Sequence, residues 1–525
     1  VGLRGGDRRR HRGLSARARG PVMGRGRAAL ALLMIGVATP APAQLDPSGA
    51  WRTLHTEHFR LHFRPAHRAV ADRAAREAER AWRLLAGELV PPRGPVDVTL
   101  ADDADVANGL TRVLPSNRIT LYLVPPAGDV ALQAYDDGVR LVVVHELAHV
   151  FHLDRSRGIW GGLQRVFGRA PGLFPNAYQP SWVSEGVATY YETRLTTAGR
   201  AEGAFHTQLL ATGTRAPWDA LLFTRWPAGY TPYAYGGRFF SGATREAGDS
   251  LVPRFLSATA GQLIPFRVGR PLRRVAGVDL AAAWERATGA AAGAGADTGR
   301  ALVGGLRSAP VPRVAPDGRR VAYLSDDGRG ARRLRVADLE RPTEGPSHRV
   351  TGEVSYDWTG DTLLVAQLDF TDRRHLRSDL YRWVPGGAWH RTTRDARLTE
   401  PRAGGGRQGV VALGPGTNAA VVDGIRMDVP GTEWGAVVPS RDGRVIAAAR
   451  HAEGGWALVQ WPAARPESVT VLFRAGGVVS SPAWDDQGRL HFVWDGSGVP
   501  QVYRRDARGD VVALTADPFG ARNPA

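Results

Sequence analysis

VVVHELAHVFH, residues 142–152, followed by WVSEGVATYYE, residues 182–192, decides how the first half of this chain is read. In the first stretch His145 and His149 stand four apart, so on a helix they share one face and aim at one point. Glu146 lies beside them. Val142, Val143, Val144, Leu147, Ala148 and Val150 are apolar and bury the rest of the helix. The second stretch follows Pro180 and brings Glu185, then the small residues Gly186 and Ala188, which permit close helix packing. Two imidazoles and a carboxylate, with a fourth position open to water, are the donor set of a catalytic zinc ion. H-E-x-x-H alone arises by chance in many chains. The second stretch, in the right order, turns the coincidence into a candidate site.

The pair H-E-x-x-H and W-x-x-E-G-x-A-x-Y-x-E resembles the gluzincin metallopeptidases, the thermolysin and aminopeptidase N group. It looks most like the bacterial peptidase-MA-like proteins that carry a TolB-like propeller behind the peptidase domain. The resemblance spans residues 51–290 in outline. It implies an α+β zincin-like catalytic domain holding one Zn2+ per chain through His145, His149 and Glu185. By the same resemblance Glu146 is the general base and the substrate is a protein or peptide. Pro232-Tyr233-Ala234-Tyr235-Gly236-Gly237 resembles the P-Y-x-x-G segment of the aminopeptidase branch. Tyr233 falls on the position that donates to the oxyanion, with Tyr235 the less favoured choice and a second candidate substrate contact. The implied reaction is metal-assisted hydrolysis, with Glu146 taking the water proton and passing it to the leaving amine. His152 reads as a supporting or surface histidine, not a ligand.

Two departures from that family pattern matter. No G-x-M-E-N segment precedes His145, which favours an endopeptidase over an aminopeptidase. Glu185 follows His149 by 36 positions, a longer gap than in the thermolysin and aminopeptidase branches. Within it, Trp160, Leu163, Val166 and Phe167 make an amphipathic face. A packed insertion is the favoured reading, ahead of a lid or a shallow peripheral membrane contact.

Upstream, His58–Phe63 and Val96–Leu100 read as strands around a helix over Ala66–Leu89. Arg118–Leu123 reads as a further strand, stopped by Pro125 and Pro126. In gluzincins an edge strand before the H-E-x-x-H helix pairs with substrate; this strand is the candidate, with Thr120 and Tyr122 as substrate contacts. Asn108-Gly109 and Pro115-Ser116-Asn117 read as turns.

At 525 residues the chain needs more than one core. It has no cysteine, which excludes disulfides and thiol chemistry. The net charge of +17 is not read as a nucleic-acid footprint. Residues 1–43 alone carry +8, every basic residue is Arg, and aromatics do not interleave with basic clusters. Met23–Arg27 is a short basic stretch and Ala28–Val37 an apolar one too short to span a bilayer. Ala41-Pro42-Ala43 fits a cleavage site. A Sec-type signal peptide over 23–43 is therefore expected, after an over-extended start at 1–22, with a periplasmic or secreted product. The catalytic region is expected over 44–287 and a small-residue linker over 288–308.

From 309 to 525 the character changes to short β runs with Asp-Gly turns. Unit starts recur at Ala315–Tyr323, Asp357–Leu364, Pro439–Val445 and Ala483–Leu490, with a degenerate unit near Arg402–Val411. The turn glycines 318, 360, 443 and 488 give a period in the low forties, the mark of a β-propeller. The P-D-G-R-R-V-A-Y start resembles TolB-like blades. About five units are recognisable. Asn523-Pro524-Ala525 aligns with Ser481-Pro482-Ala483, so a truncated or irregularly closing ring is expected. The propeller shows no catalytic constellation and reads as a partner-binding or access-restricting module. The alternative for the whole chain is a non-catalytic envelope scaffold with a relict peptidase fold.

Overall fold

The computed structural model describes residues 48–128, 131–212, 229–289, 302–306, 311–506 and 508–525. The expected over-extended start, signal peptide and cleavage site, and most of the linker, lie outside them. The first described region is a five-stranded sheet with helices. Its strands are β1 (Arg52–His55), β2 (Phe59–Phe63), β3 (Val96–Ala101), β4 (Gly109–Arg112) and β5 (Arg118–Tyr122), in the order β1-β2-β3-β5-β4. β2, β3 and β5 run parallel; β1 and β4 are antiparallel to their neighbours. Parallel neighbours need a crossover, and α1 (Arg68–Ala86) supplies it between β2 and β3. Its inner face is a run of small residues, Ala71, Ala74, Ala75, Ala78 and Ala81, ending in Trp82 and Leu85. That face seats the helix against Phe59, Leu61, Val96 and Val98.

The edge strand differs from expectation. Arg118–Tyr122 lies inside the sheet between β3 and β4, and the edge is Gly109–Arg112. Asn108-Gly109 thus opens a strand. Four residues with only Leu110 strongly apolar leave no alternation to read, and the strand exists because β5 offers it a partner.

α2 (Gly138–Leu153) carries the H-E-x-x-H set. Asp137 caps it, accepting from the Arg140 amide at 3.0 Å. The helix is buried on nearly every side, so it presents a continuous apolar run and no stripe. α3 (Gly158–Phe167) follows, then α4 (Ser181–Leu195), α5 (Ala204–Thr212), α6 (Thr231–Ala247), α7 (Leu251–Thr259), α8 (Gly269–Ala276) and α9 (Leu280–Thr288). α4 and α6 touch through glycines. A Cβ on Gly236 would lie 2.1 Å from the Trp182 carbonyl oxygen, and one on Gly186 2.5 Å from the Gly236 carbonyl carbon. Trp182, Tyr235, Phe239, Phe240 and Trp284 close the core behind this contact.

Residues 311–525 form a five-bladed β-propeller. Each blade is a four-stranded antiparallel sheet of sequential strands, spanning 313–349, 354–391, 398–427, 433–474 and 479–513. The repeat glycines 318, 360, 443 and 488 sit at φ +69°, +61°, +69° and +71°, where an L side chain is strained. The degenerate unit is a true blade that turns at Gly405-Gly406 instead. Neighbouring blades are joined by indole bonds, Trp358 to the Arg313 carbonyl (2.9 Å) and Trp484 to the Val438 carbonyl (3.2 Å). Val311, Glu400, Ser481 and Asn523 each precede a proline and share φ between 48° and 55°. The expected alignment of Asn523 with Ser481 therefore holds in the backbone.

The propeller packs on the N-terminal region through polar contacts. Asp105 meets Arg377 at 3.1 Å and Arg397 at 2.8 Å, and Asp102 meets Arg397 at 2.8 Å. Trp456 donates to the Gln133 carbonyl at 3.0 Å, and the Tyr135 phenol bonds the half-buried Glu433 carboxylate.

Candidate metal centre and cleft

α2 and α4 cross so that three side chains converge. His145 Nε2 lies 3.4 Å, and His149 Nε2 3.3 Å, from the same oxygen, Oε2 of Glu185. These three residues form one of two groups among the described residues whose donor atoms all lie within 4.8 Å. Tetrahedral ligands held at about 2.0–2.2 Å from zinc are separated by roughly 3.4 Å, which the two measured separations match. Glu185 Oε2 and His149 Nδ1 are also buried without a hydrogen-bond partner. A carboxylate oxygen faced by two imidazole nitrogens at these distances is an arrangement that a shared cation would bridge. The donor set fits zinc.

The other group, Glu57, His58 and Glu79, differs in kind. His58 Nδ1 is engaged by Glu79 at 2.8 Å, and the ring stacks on Trp82 at 4.3 Å. Glu79 also accepts from Thr56 and the His58 amide. That carboxylate is satisfied.

A charged pair stands behind His145. Its Nδ1 is 2.8 Å from Oε2 of the fully buried Glu192, and Arg200 binds Glu192 through Nε (2.7 Å) and Nη2 (2.6 Å). Arg200 Nη2 also lies 3.0 Å from His145 Nδ1. Two donors cannot share one proton-bearing nitrogen, so the carboxylate receives the Nδ1 proton. That tautomer turns the Nε2 lone pair toward Glu185. Burial opposes ionising Glu192, but the Arg200 guanidinium prevails and holds it at about 2. Glu185 is held below the usual carboxylate range, because His149 and His145 outweigh its burial.

Glu146 faces β4. Thr111 Oγ1 lies 2.7 Å from Glu146 Oε2 and 2.9 Å from its carbonyl. A Cβ on Gly109 would lie 2.5 Å from the Glu146 side chain, so this position needs glycine for closeness. Ala107–Thr111, Glu146, Ser184, Arg200 and Tyr233 help line a cleft of about 320 Å³ over the three donors. Tyr233, in the first turn of α6, stacks near His145 at 5.9 Å, and Arg200 lies over its ring at 5.2 Å. Burial, then Glu185, pushes its phenol above the ordinary range. It therefore stays a proton-bearing donor.

The structure thus brings His145, Glu146, His149, Glu185 and Tyr233 into one cleft. Thr120, Tyr122 and Tyr235 are not among its lining residues. Thr120 and Tyr122 sit on the internal strand β5, and Tyr235 stacks on Trp284 in the core at 5.8 Å. Their assignment as substrate contacts does not fit these positions, and Gly109 and Thr111 occupy the place expected of the strand residues. His152 is fully buried, bonds Gln179 at 2.9 Å and is pushed down to about 3 by burial. Glu192 stood in the second motif, but Arg200 follows an ordinary Thr-Thr-Ala-Gly stretch, and nothing local marks it.

No family model and no curated protein matches the chain. Among solved structures it is similar to the β-propeller domain of the Trilobed protease from Pyrococcus furiosus, at 12% identity and a TM-score of 0.32, covering 41% of this chain and 69% of that one. It is similar to a TolB from Agrobacterium tumefaciens, at 16% identity and a TM-score of 0.33, covering 39% and 80%. It is also similar to the acylaminoacyl peptidase of Pyrococcus horikoshii, at 15% identity and a TM-score of 0.32, covering 41% of this chain and 38% of that one. The chain's own strand order makes it a five-bladed propeller joined to an α/β N-terminal region.

Proposed function

We propose that this protein is a zinc-dependent peptide hydrolase, acting within chains rather than at amino termini. The observation that carries the reading is the convergence of the His145 and His149 Nε2 atoms on one buried oxygen of Glu185. Zinc, when bound there, supplies Lewis acidity to the scissile carbonyl and acidifies water. Glu146, turned toward the same cleft, accepts the water proton and delivers it to the leaving nitrogen. Thr111 holds that carboxylate in place from the edge strand. β4 leaves one edge open along the cleft, and an extended substrate adds to it as a further strand. Tyr233 keeps its proton and donates to the oxygen on which negative charge develops. Glu192 and Arg200 position His145. Export belongs to the same proposal and rests on the sequence of residues 23–43.

The test is cleavage of peptides blocked at both ends. Wild-type protein with zinc cleaves them at internal bonds, and Glu146→Gln loses activity by at least a thousandfold while binding zinc as tightly. Cleavage only of free amino termini would refute the internal mode. Undiminished activity in Glu146→Gln would refute the mechanism.

A further inference from the structure

α3 is built inside out. Its one buried residue is the polar Gln164, 5% exposed, which donates to the Leu173 carbonyl and accepts from Ser156. Its large apolar residues face outward: Ile159 is 59%, Val166 75% and Phe167 67% exposed. A water-facing helix normally shows the reverse arrangement. The packed insertion expected from sequence is therefore corrected: Trp160 and Leu163 are half-buried, but Val166 and Phe167 cover nothing.

A second segment extends the patch. The Trp160 indole donates to the Gln262 carbonyl at 2.8 Å, and the Arg157 amide to the Ala260 carbonyl at 2.9 Å. These bonds place α3 beside the 261–267 loop, where Leu263, Ile264 and Phe266 are also exposed. Contiguous exposed apolar surface of this kind marks an interaction site.

Charge selects the partner. Residues 155–184 and 250–278 contain nine arginines and no aspartate or glutamate. Arg157, Arg165, Arg254, Arg267, Arg270 and Arg274 are exposed, and none forms an ion pair among the described residues. Elsewhere on the chain exposed arginines commonly find carboxylates, as Arg286 does with Glu246 and Arg245 with Glu202. Apolar side chains interspersed along these two segments with unpaired arginines match an interface with hydrocarbon below and anionic headgroups around it.

We infer that α3 and the 261–267 loop form a peripheral docking surface for an anionic lipid bilayer. The apolar tips enter the headgroup boundary and the arginines bind lipid phosphates. Among the described residues no helix is long and apolar enough to cross a membrane, so the attachment is made from one side. α3 leaves directly from the end of α2, and Arg169 Nε reaches back to the Val113 carbonyl just beyond β4 at 3.2 Å. Docking therefore holds the cleft close to the lipid surface.

The test is flotation of the full chain with phosphatidylcholine vesicles, with and without 30% phosphatidylglycerol. Binding is expected only with phosphatidylglycerol, and it weakens as salt rises. Each of Arg165→Gln and Arg267→Gln lowers partitioning about fivefold, and Val166→Ser with Phe167→Ser about tenfold or more. These positions are exposed, so melting temperatures stay unchanged and serve as the folding control. No binding to either vesicle, or equal binding to both, would overturn the inference. A concentration-dependent dimer that Phe167→Ser dissociates, with no vesicle binding, would assign the patch to a second copy of the chain instead.

Discussion

In the N-terminal region Gly186 and Gly236 let two helices touch, whereas in the propeller the repeat glycines turn the chain. Gly236 and Gly186 have no room for a methyl group, because the facing helix backbone occupies the space. Gly360 and Gly318 have nothing within 4 Å, and only their positive φ calls for glycine. The first kind of constraint joins residues fifty positions apart and brings Tyr233 of α6 into the cleft with Glu185 of α4. The second kind is local and repeats with each blade. The propeller is a series of similar local decisions. The candidate metal centre is one long-range decision, with a buried ionic pair behind it.

That contrast predicts an order of damage. Arg200→Met has the largest effect, because it strands the Glu192 carboxylate in the interior. Breaking a buried pair from one side costs about 3–5 kcal/mol, read by urea denaturation, and zinc affinity falls roughly 10–100-fold as His145 loses its orientation. A loss under 1 kcal/mol with unchanged zinc affinity would remove the pair from the account. Gly236→Ala comes next, at about 3 kcal/mol, because α4 and α6 must part. Melting within a degree of wild type would mean the helix contact is looser than described.

His206 gives a smaller, pH-dependent effect. It is buried beside Arg200 in the N-terminal region, and burial pushes it down to about 3. A depressed folded pKa contributes stability above the ordinary value near 6.5 and loses it as pH falls toward 3. At pH 5 the loss is about 2 kcal/mol. His206→Leu should flatten the decline in Tm between pH 7 and 5; an equally steep decline would place the acid sensitivity elsewhere. Gly360→Ala is the mildest, at about 1 kcal/mol for an L residue at positive φ, with activity retained. A larger loss than Gly236→Ala would invert the comparison.

The same contrast explains what was legible. Blade turns were readable because a turn glycine acts within four residues, and even the degenerate unit kept its strands. The three donor residues were readable because helical spacing places His145 with His149, and the second motif names Glu185. Edge strand β4 was not, since its pairing comes from β5 and its closeness to Glu146 appears only when the sheet meets α2. Thr120 and Tyr122 followed from choosing the stronger strand signal, which belongs to an internal strand. Tyr235 was a candidate through its place beside Tyr233, but two positions along a helix point to different faces, and that face holds Trp284. α3 was recognised as amphipathic, yet amphipathicity does not say which face turns inward. Gln164 decides that, through bonds to Ser156 and Leu173.

The most direct test of the central claim is zinc titration by calorimetry with peptide hydrolysis measured on the same metal-free preparation. The account predicts one zinc per chain, hydrolysis that rises in step with occupancy, and loss of both in His149→Ala. Failure to bind zinc, or hydrolysis that persists without metal, would contradict it.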